Sequence, residues 1–378
     1  MTFTDLRTGA GVEKFLLNLI RHSPKDGIDI KVVQTDYLTS QRVSDEYINE
    51  TLQGFRTLRM KVYETKFDFM WNNRILGAFS TMIFRPILMT YLNIKYNRDI
   101  IDEVSKADVI YLFKNEYSRY FKKTSGIIVG SNHCDYHNDK KPETILTKKG
   151  LEKLVYKGIS TYHLFPGKSN FTQFFGDGRT FILPPGVDTK MYYPSSAQKN
   201  KLKILFVGRL EKSKGILEFL KVYDLLKEER KFEFHVVGSG SLTHEVRSKS
   251  GADFIYHGAV DEEELSRIYR SCDVFLFPTH LDSFPVVILE ALASGLYVIT
   301  TEEMRGTFDE FEQSNYITYV DPEPLKLREL LLEIIRNDVI DSLNKDALFE
   351  KVQNNYEWSN ISTKFFELLV NLNKTDLK

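Results

Sequence analysis

Gly208-Arg209-Leu210-Glu211-Lys212-Ser213-Lys214-Gly215 follows directly on an apolar run, Ile204-Leu205-Phe206-Val207. Asp282-Ser283-Phe284-Pro285-Val286-Val287-Ile288-Leu289-Glu290 follows shortly on another, Val274-Phe275-Leu276-Phe277. Each reads as a buried strand that breaks at a loop and re-enters a helix. That alternation is the mark of βαβ units and a parallel sheet. In such sheets ligands gather where the loops leave the carboxyl ends of the strands.

The two loops differ in chemistry. Gly208 permits a tight turn, and the helix start that follows offers backbone N–H groups to an anion. Arg209 can clamp two phosphate oxygens, and Lys214 adds a mobile point charge. By themselves these residues also fit a solvated turn. In the second loop Ser283-Phe284-Pro285 breaks the chain, and Val286 begins a helix whose first N–H groups could hold phosphate or sugar oxygens. Asp282 could accept sugar hydroxyls or simply cap the turn. Glu290 sits among Ile288, Leu289, Ala291 and Leu292, where a carboxylate needs a partner. A ribose with two hydroxyls would supply one. Cations for a diphosphate and two carboxylates for hydroxyls together suit a nucleotide diphosphate that carries a sugar.

The same alternation extends outward. After Ile204–Val207, strand-like runs recur at Phe232–Val237, Phe254–His257, Val274–Phe277, Tyr297–Thr300 and Tyr316–Val320. Gly238-Ser239-Gly240 and His257-Gly258 close two of them and could line a base or phosphate pocket; both also read as ordinary turns. In the first half, Val12–Ile20 reads as a helix and Ile30–Val33 as a strand. Asp99–Lys106 reads as a helix, and Val109–Phe113, Gly126–Gly130 and Thr180–Leu183 as strands. Thr8-Gly9-Ala10-Gly11-Val12-Glu13 precedes the first helix, so Gly9 and Gly11 could lay amides against an anion or belong to a plain helix start. His133 follows the Gly126–Gly130 run, a position for a titratable site residue. Cys134 beside it reads as a buried bystander.

Composition narrows the class. At 378 residues with 42% apolar content, two domains with ordinary cores are expected. The formal net charge is −1. The halves differ, with 28 Lys and Arg against 21 Asp and Glu over residues 1–195, and 23 against 31 in the remainder. A basic half suggests an anionic surface or substrate. Two cysteines make neither a disulfide framework nor a clustered zinc site, and no metal site is expected. The start Met1-Thr2-Phe3-Thr4-Asp5 does not read as a secretory signal. The longest apolar stretch, Ile75–Ile94, is broken by Arg85-Pro86. A cytoplasmic location follows, with the inner membrane face open. Residues 55–98 interleave Arg56, Arg59, Lys61, Lys66, Arg74, Arg85, Lys95 and Arg98 with aromatics. That mixture suits core helices with snorkelling cations, or peripheral contact with anionic lipid. A near-neutral chain with these motifs does not suit nucleic acid.

Taken together, the motifs resemble those of the GT-B glycosyltransferases, in particular the retaining family 4 group. The resemblance is strongest over Lys201–Thr301. There the strand followed by Gly-Arg-Leu and Lys-Gly, the Gly238–Gly240 turn, His257-Gly258 and the two spaced carboxylates stand in family order. Gly9–Glu13, His133 and Pro185-Gly186-Val187-Asp188 match weaker landmarks. Trp358 resembles the point where the last helix crosses back to the first domain.

The resemblance implies two doubly wound Rossmann-like domains facing across a cleft. Residues 1–195 would bind the acceptor and residues 200–357 the nucleotide sugar, with a helix at about 358–378 packing back on the first. It implies that Arg209 and Lys214 hold the diphosphate, Glu290 the ribose and Asp282 the donor sugar. Ser283, Phe284, Pro285 and Val286 would lie near sugar and phosphate, and His133 would face the transferred hexose. It further implies metal-independent transfer without cofactor, from a UDP-sugar in preference to a GDP-sugar, to a glycan or lipid-linked acceptor. Two departures stand out. The first carboxylate is Asp282 where the family usually has Glu, and the apolar strand usually found before the first Gly loop is missing, so an upstream start is expected. A nucleotide-sugar 2-epimerase of the same fold and a catalytically degenerate nucleotide-binding subunit are the competing readings.

Overall fold

In the computed structural model, the described residues are 11–24, 27–36, 52–61, 94–112, 121, 124–131, 161–167, 178–195, 201–280, 282 and 284–376. The chain divides into two compact units, Met1–Leu183 with Ser362–Lys378, and Pro184–Ile361. The break therefore falls after Leu183, ahead of the boundary between residues 195 and 200 that the resemblance implies. The last helix is shared, its first turn in one unit and the rest in the other.

The first unit is an α/β assembly of parallel strands. Helix α1 (Gly11–Arg21) precedes β1 (Lys31–Asp36), which pairs in parallel with β2 (Arg56–Lys61) from Lys31↔Arg56 to Asp36↔Lys61. After α2 (Arg98–Val104), four strands form a second parallel sheet in sequence order: β3 (Val109–Leu112), β4 (Ile127–Ser131), β5 (Tyr162–Phe165) and β6 (Thr180–Ile182). Two of these strands are invisible as apolar runs. In β2, Arg56 and Thr57 are exposed, and Arg56 pairs with Glu103 at 2.9 Å. In β5, a buried His163 interrupts the hydrophobic pattern. Residues 62–93, which hold most of the basic-aromatic stretch, lie outside the described residues.

The second unit is one six-stranded parallel sheet in the order β12-β11-β10-β7-β8-β9. Its strands are β7 (Leu202–Val207), β8 (Phe232–Val237), β9 (Phe254–Gly258), β10 (Val274–Phe277), β11 (Tyr297–Thr300) and β12 (Ile317–Tyr319). Helices α3 (Ile216–Leu226), α4 (Thr243–Arg247), α5 (Glu262–Ser271) and α6 (Val286–Ala293) connect most of them, followed by α7 (Asp309–Glu312), α8 (Pro324–Arg336) and α9 (Lys345–Tyr356). All four residues of β10 and of β11 are buried. Strands covered on both faces read as continuous apolar runs, which is why these were legible in the sequence. Phe206, Phe219, Phe234, Phe275 and Phe277 pack into one core.

Helix α10 (Trp358–Asp376) starts against the second unit, where the Trp358 ring lies over Gly186; a Cβ there would come within 2.6 Å of it. From Ser362 onward the helix belongs to the first unit. The Ser362 hydroxyl donates to the Leu19 carbonyl at 3.0 Å, and Phe365 meets Tyr111 edge-on at 4.9 Å. Phe365, Phe366 and Leu372 are buried. Side chains of this size each contribute about 1.5–3 kcal/mol when withdrawn from water.

Candidate active site

The order of the central strands places the two decisive loops side by side. β10 pairs with β7, Val274 opposite Ile204, so the loops leaving their carboxyl ends are neighbours. They are also tied together. The His280 amide donates to the Ser213 carbonyl at 2.9 Å, and the Thr279 hydroxyl reaches the same carbonyl at 3.2 Å. Lys212–Lys214 forms a single 3₁₀ turn ended by Gly215 at φ +78°. A Cβ at Gly215 would lie 1.9 Å from the Pro278 carbonyl oxygen. Only glycine fits, both for its backbone angle and for the approach of the neighbouring loop.

This juxtaposition brings Lys214 and Asp282 together. Lys214 Nζ lies 2.8 Å from Asp282 Oδ2, with the two side chains 11% and 19% exposed. Two residues given separate ligand duties by the resemblance thus face one another directly. Arg209 is 63% exposed in its side chain and pairs with Glu211 at 3.2 Å. It remains a surface cation at the rim of the same loop.

The glycine loops meet on the other side of β7. Gly208 N donates to Val237 O at 3.1 Å, Leu210 N to Ser239 O at 3.0 Å, and Gly238 N to Gly258 O at 2.8 Å. Gly238 has φ +134°, and a Cβ on it would sit 1.9 Å from the Gly208 carbonyl oxygen. A Cβ on Gly240 would come within 2.6 Å of the Leu210 carbonyl oxygen. Gly208 and Gly238 therefore act first as packing partners of one another, and Gly240 as one of Leu210.

His257 turns toward the sheet. Its Nε2 lies 3.0 Å from His235 Nδ1, and His235 Nε2 lies 2.8 Å from Glu233 Oε1, itself 3.2 Å from Lys203 Nζ. The consistent proton arrangement has His235 Nε2–H donating to Glu233 and His257 Nε2–H donating to His235. Burial holds both histidines below the usual imidazole range. Burial alone would raise Glu233, but the hydrogen bonds from His235 and Lys203 outweigh it and keep the carboxyl low.

Phe284 and Pro285 are buried ahead of α6, and among the described residues no side chain caps that helix at its first turn. Glu290 lies about one turn along and is half-buried. Its partner is a residue that sequence reading missed, Tyr269 of α5, whose hydroxyl lies 3.0 Å from Glu290 Oε2 and 3.2 Å from the Val287 carbonyl. Burial, then the Glu290 charge, pushes the Tyr269 hydroxyl far above the ordinary phenol range. Gly11 opens α1; Gly9, His133 and Ser283 lie outside the described residues.

Comparison with known proteins bears on the fold and on the second unit. Residues 201–337 match the family model described as glycosyl transferases group 1. A D-inositol 3-phosphate glycosyltransferase of Paenarthrobacter aurescens is 34% identical over 142 residues, 32% of this chain and 35% of that protein. A probable sucrose-phosphate synthase of Thermosipho melanesiensis is 25% identical over 206 residues, 50% of this chain and 47% of that protein. The chain thus spans a third to a half of the curated relatives it matches. Among solved structures, a sucrose-phosphate synthase from Thermosynechococcus elongatus superposes with a TM-score of 0.70 at 14% identity, covering 98% of both chains. Anabaena HepE in complex with UDP gives 0.71 at 12%, covering 98% of this chain and 99% of that one. The fold is that of the GT-B glycosyltransferases, and residues 201–337 are similar to the group 1 glycosyltransferases.

Proposed function

We propose that the protein is a retaining glycosyltransferase that moves a hexose from a nucleotide diphosphate sugar to a glycan or lipid-linked acceptor. The observation that carries this reading is the 2.8 Å meeting of Lys214 with Asp282 at the carboxyl ends of adjacent strands. It sets a cation, sheltered from water, where the fold presents a ligand. A diphosphate entering there would take Lys214 as its counter-charge and Arg209 as a clamp from the rim. When the sugar leaves, negative charge grows on the phosphate oxygens, and these preplaced cations stabilise it in the role a metal plays elsewhere. The first turn of α6 adds N–H donors. Asp282, once its lysine turns to phosphate, is available to sugar hydroxyls, and Glu290 to the ribose. UDP is favoured as the carrier, in keeping with the HepE complex. Among the described residues no helix is long and apolar enough to cross a membrane; the basic first half fits an acceptor presented at an anionic lipid surface.

The test is a melting screen against UDP-, GDP- and ADP-sugars, since a ligand that binds only the folded state raises the melting temperature. The donor found is then used for transfer assays with Lys214→Ala and Glu290→Ala. Both variants should stay folded and lose at least about a hundredfold in turnover, the scale of removing one preorganised charge-stabilising group. Full activity in both would overturn the site.

A further inference from the structure

Resting on the reading of Lys214 as the counter-charge of the donor's diphosphate, we infer that Asp282 sets a preference for the sugar-linked diphosphate over the free nucleoside diphosphate that transfer leaves behind, and so helps to expel the spent carrier. The two ligands differ in charge. A phosphate esterified on both sides carries about one negative charge, whereas the terminal phosphate of a free nucleoside diphosphate carries about −1.5 to −2 near pH 7. Breaking the bond to the sugar therefore adds charge to the very group that Lys214 would hold.

Each cation of the site already stands against a carboxylate. Arg209 lies 3.2 Å from Glu211, but that pair is open to water and screened by it. Lys214 Nζ lies 2.8 Å from Asp282 Oδ2 with both side chains sheltered, so Asp282 keeps its influence. An anion that binds the same ammonium comes within about 5 Å of the carboxylate, because two contacts of hydrogen-bond length meet there at a wide angle. Across that distance, even with the damping of a site near the surface, the added charge on a free terminal phosphate weakens binding by about tenfold. The pair is held in this register by its frame. The His280 amide and the Thr279 hydroxyl both donate to the Ser213 carbonyl, and the Pro278 carbonyl closes on Gly215. The hydroxyl of Thr301, itself buried, donates to the Thr279 carbonyl at 2.7 Å. Groups so supported keep their spacing when a ligand arrives. A sugar on the diphosphate shifts the balance the other way, since it lowers the charge and brings hydroxyls that can donate to Asp282.

The experiment measures, by calorimetry at pH 7.5, the affinity of the wild type and of Asp282→Asn for UDP, UDP-glucose and the β-methyl ester of UDP. The matching forms of GDP and ADP are run alongside, and the comparison is made within the base that binds tightest. The methyl ester has the charge of a sugar nucleotide and none of the sugar's hydroxyls, so it separates repulsion from sugar contact. Asparagine keeps the shape of aspartate without its charge, and a melting curve checks that the variant is folded. Asp282→Asn should tighten the free diphosphate about tenfold more than it tightens the methyl ester. If the variant shifts the free diphosphate and the ester by equal factors, or favours the ester, the inference fails while the proposed function stands. If the wild type binds none of the diphosphates, the proposed function itself falls, and the inference with it.

Discussion

Removing Asp282 tests the site most directly. Lys214 and Asp282 are 11% and 19% exposed and 2.8 Å apart, so neither charge is fully hydrated. Deleting one member of a buried pair costs about 3–5 kcal/mol because the other is left uncompensated. With both side chains keeping an edge in water, Asp282→Ala should cost about 2–3 kcal/mol, less than that full figure. For a unit of this size that corresponds to roughly 4–12 °C in melting temperature. Two further outcomes follow from the same physics. Deleting both charges in Lys214→Met/Asp282→Ala should recover most of the loss, since no stranded ammonium remains. Added UDP should stabilise Asp282→Ala by more degrees than the wild type, because the pyrophosphate no longer competes with the carboxylate for Lys214. Differential scanning calorimetry with and without 1 mM-scale UDP reads all three. If Asp282→Ala melts with the wild type, or UDP raises both equally, the pair does not hold the lysine in the way described.

Two other perturbations probe the surroundings. Gly238→Ala places a methyl 1.9 Å from the Gly208 carbonyl oxygen at a φ of +134°, so the loops after β7 and β8 must part. A loss above about 3 kcal/mol is expected by urea denaturation, at the large end for single substitutions, and a loss under 1 kcal/mol would contradict the packing. The Glu233–His235–His257 chain makes stability fall with acid. Both histidines sit below their unfolded value near 6.5, so their contribution is whole above that pH and is lost as pH drops through the folded values. Glu233, also lowered, adds in the same direction at still lower pH. Unfolding free energy measured from pH 8 to 5 should decline below about 6.5, and His235→Gln should flatten the decline; an unaltered slope in that variant would reject the assignment.

How far the sequence foretold this arrangement depended on whether the signal was local. β10 and β11 were legible because strands buried on both faces read as continuous apolar runs, and β7 by its buried Ile204–Val207. The loop after β7 was legible because Gly208, Lys214 and Gly215 meet their demands within eight residues. β2 was hidden by the exposed Arg56 and Thr57, and β5 by the buried His163 in Tyr162–Phe165. A burial argument asked for a partner for Glu290, yet could not name Tyr269, 21 residues away on the preceding helix. Nor could it foresee that Lys214 meets Asp282, a contact made by β7 lying next to β10 rather than by spacing along the chain. Strand order is a global property, and the pairings it creates are read only once the sheet is assembled.

The division of α10 between the two units bears on how the polypeptide is made. Synthesis runs from the amino end, and domains ordinarily complete themselves as they emerge. Here the surface covered by Phe365, Phe366 and Leu372, together with the carbonyl of Leu19 that receives Ser362, waits for residues translated after all of Pro184–Ile361. The later-born unit can therefore mature on the ribosome while the earlier-born one stays unfinished. Nascent chains halted ahead of Ser362 would leave that apolar face bare to chaperones.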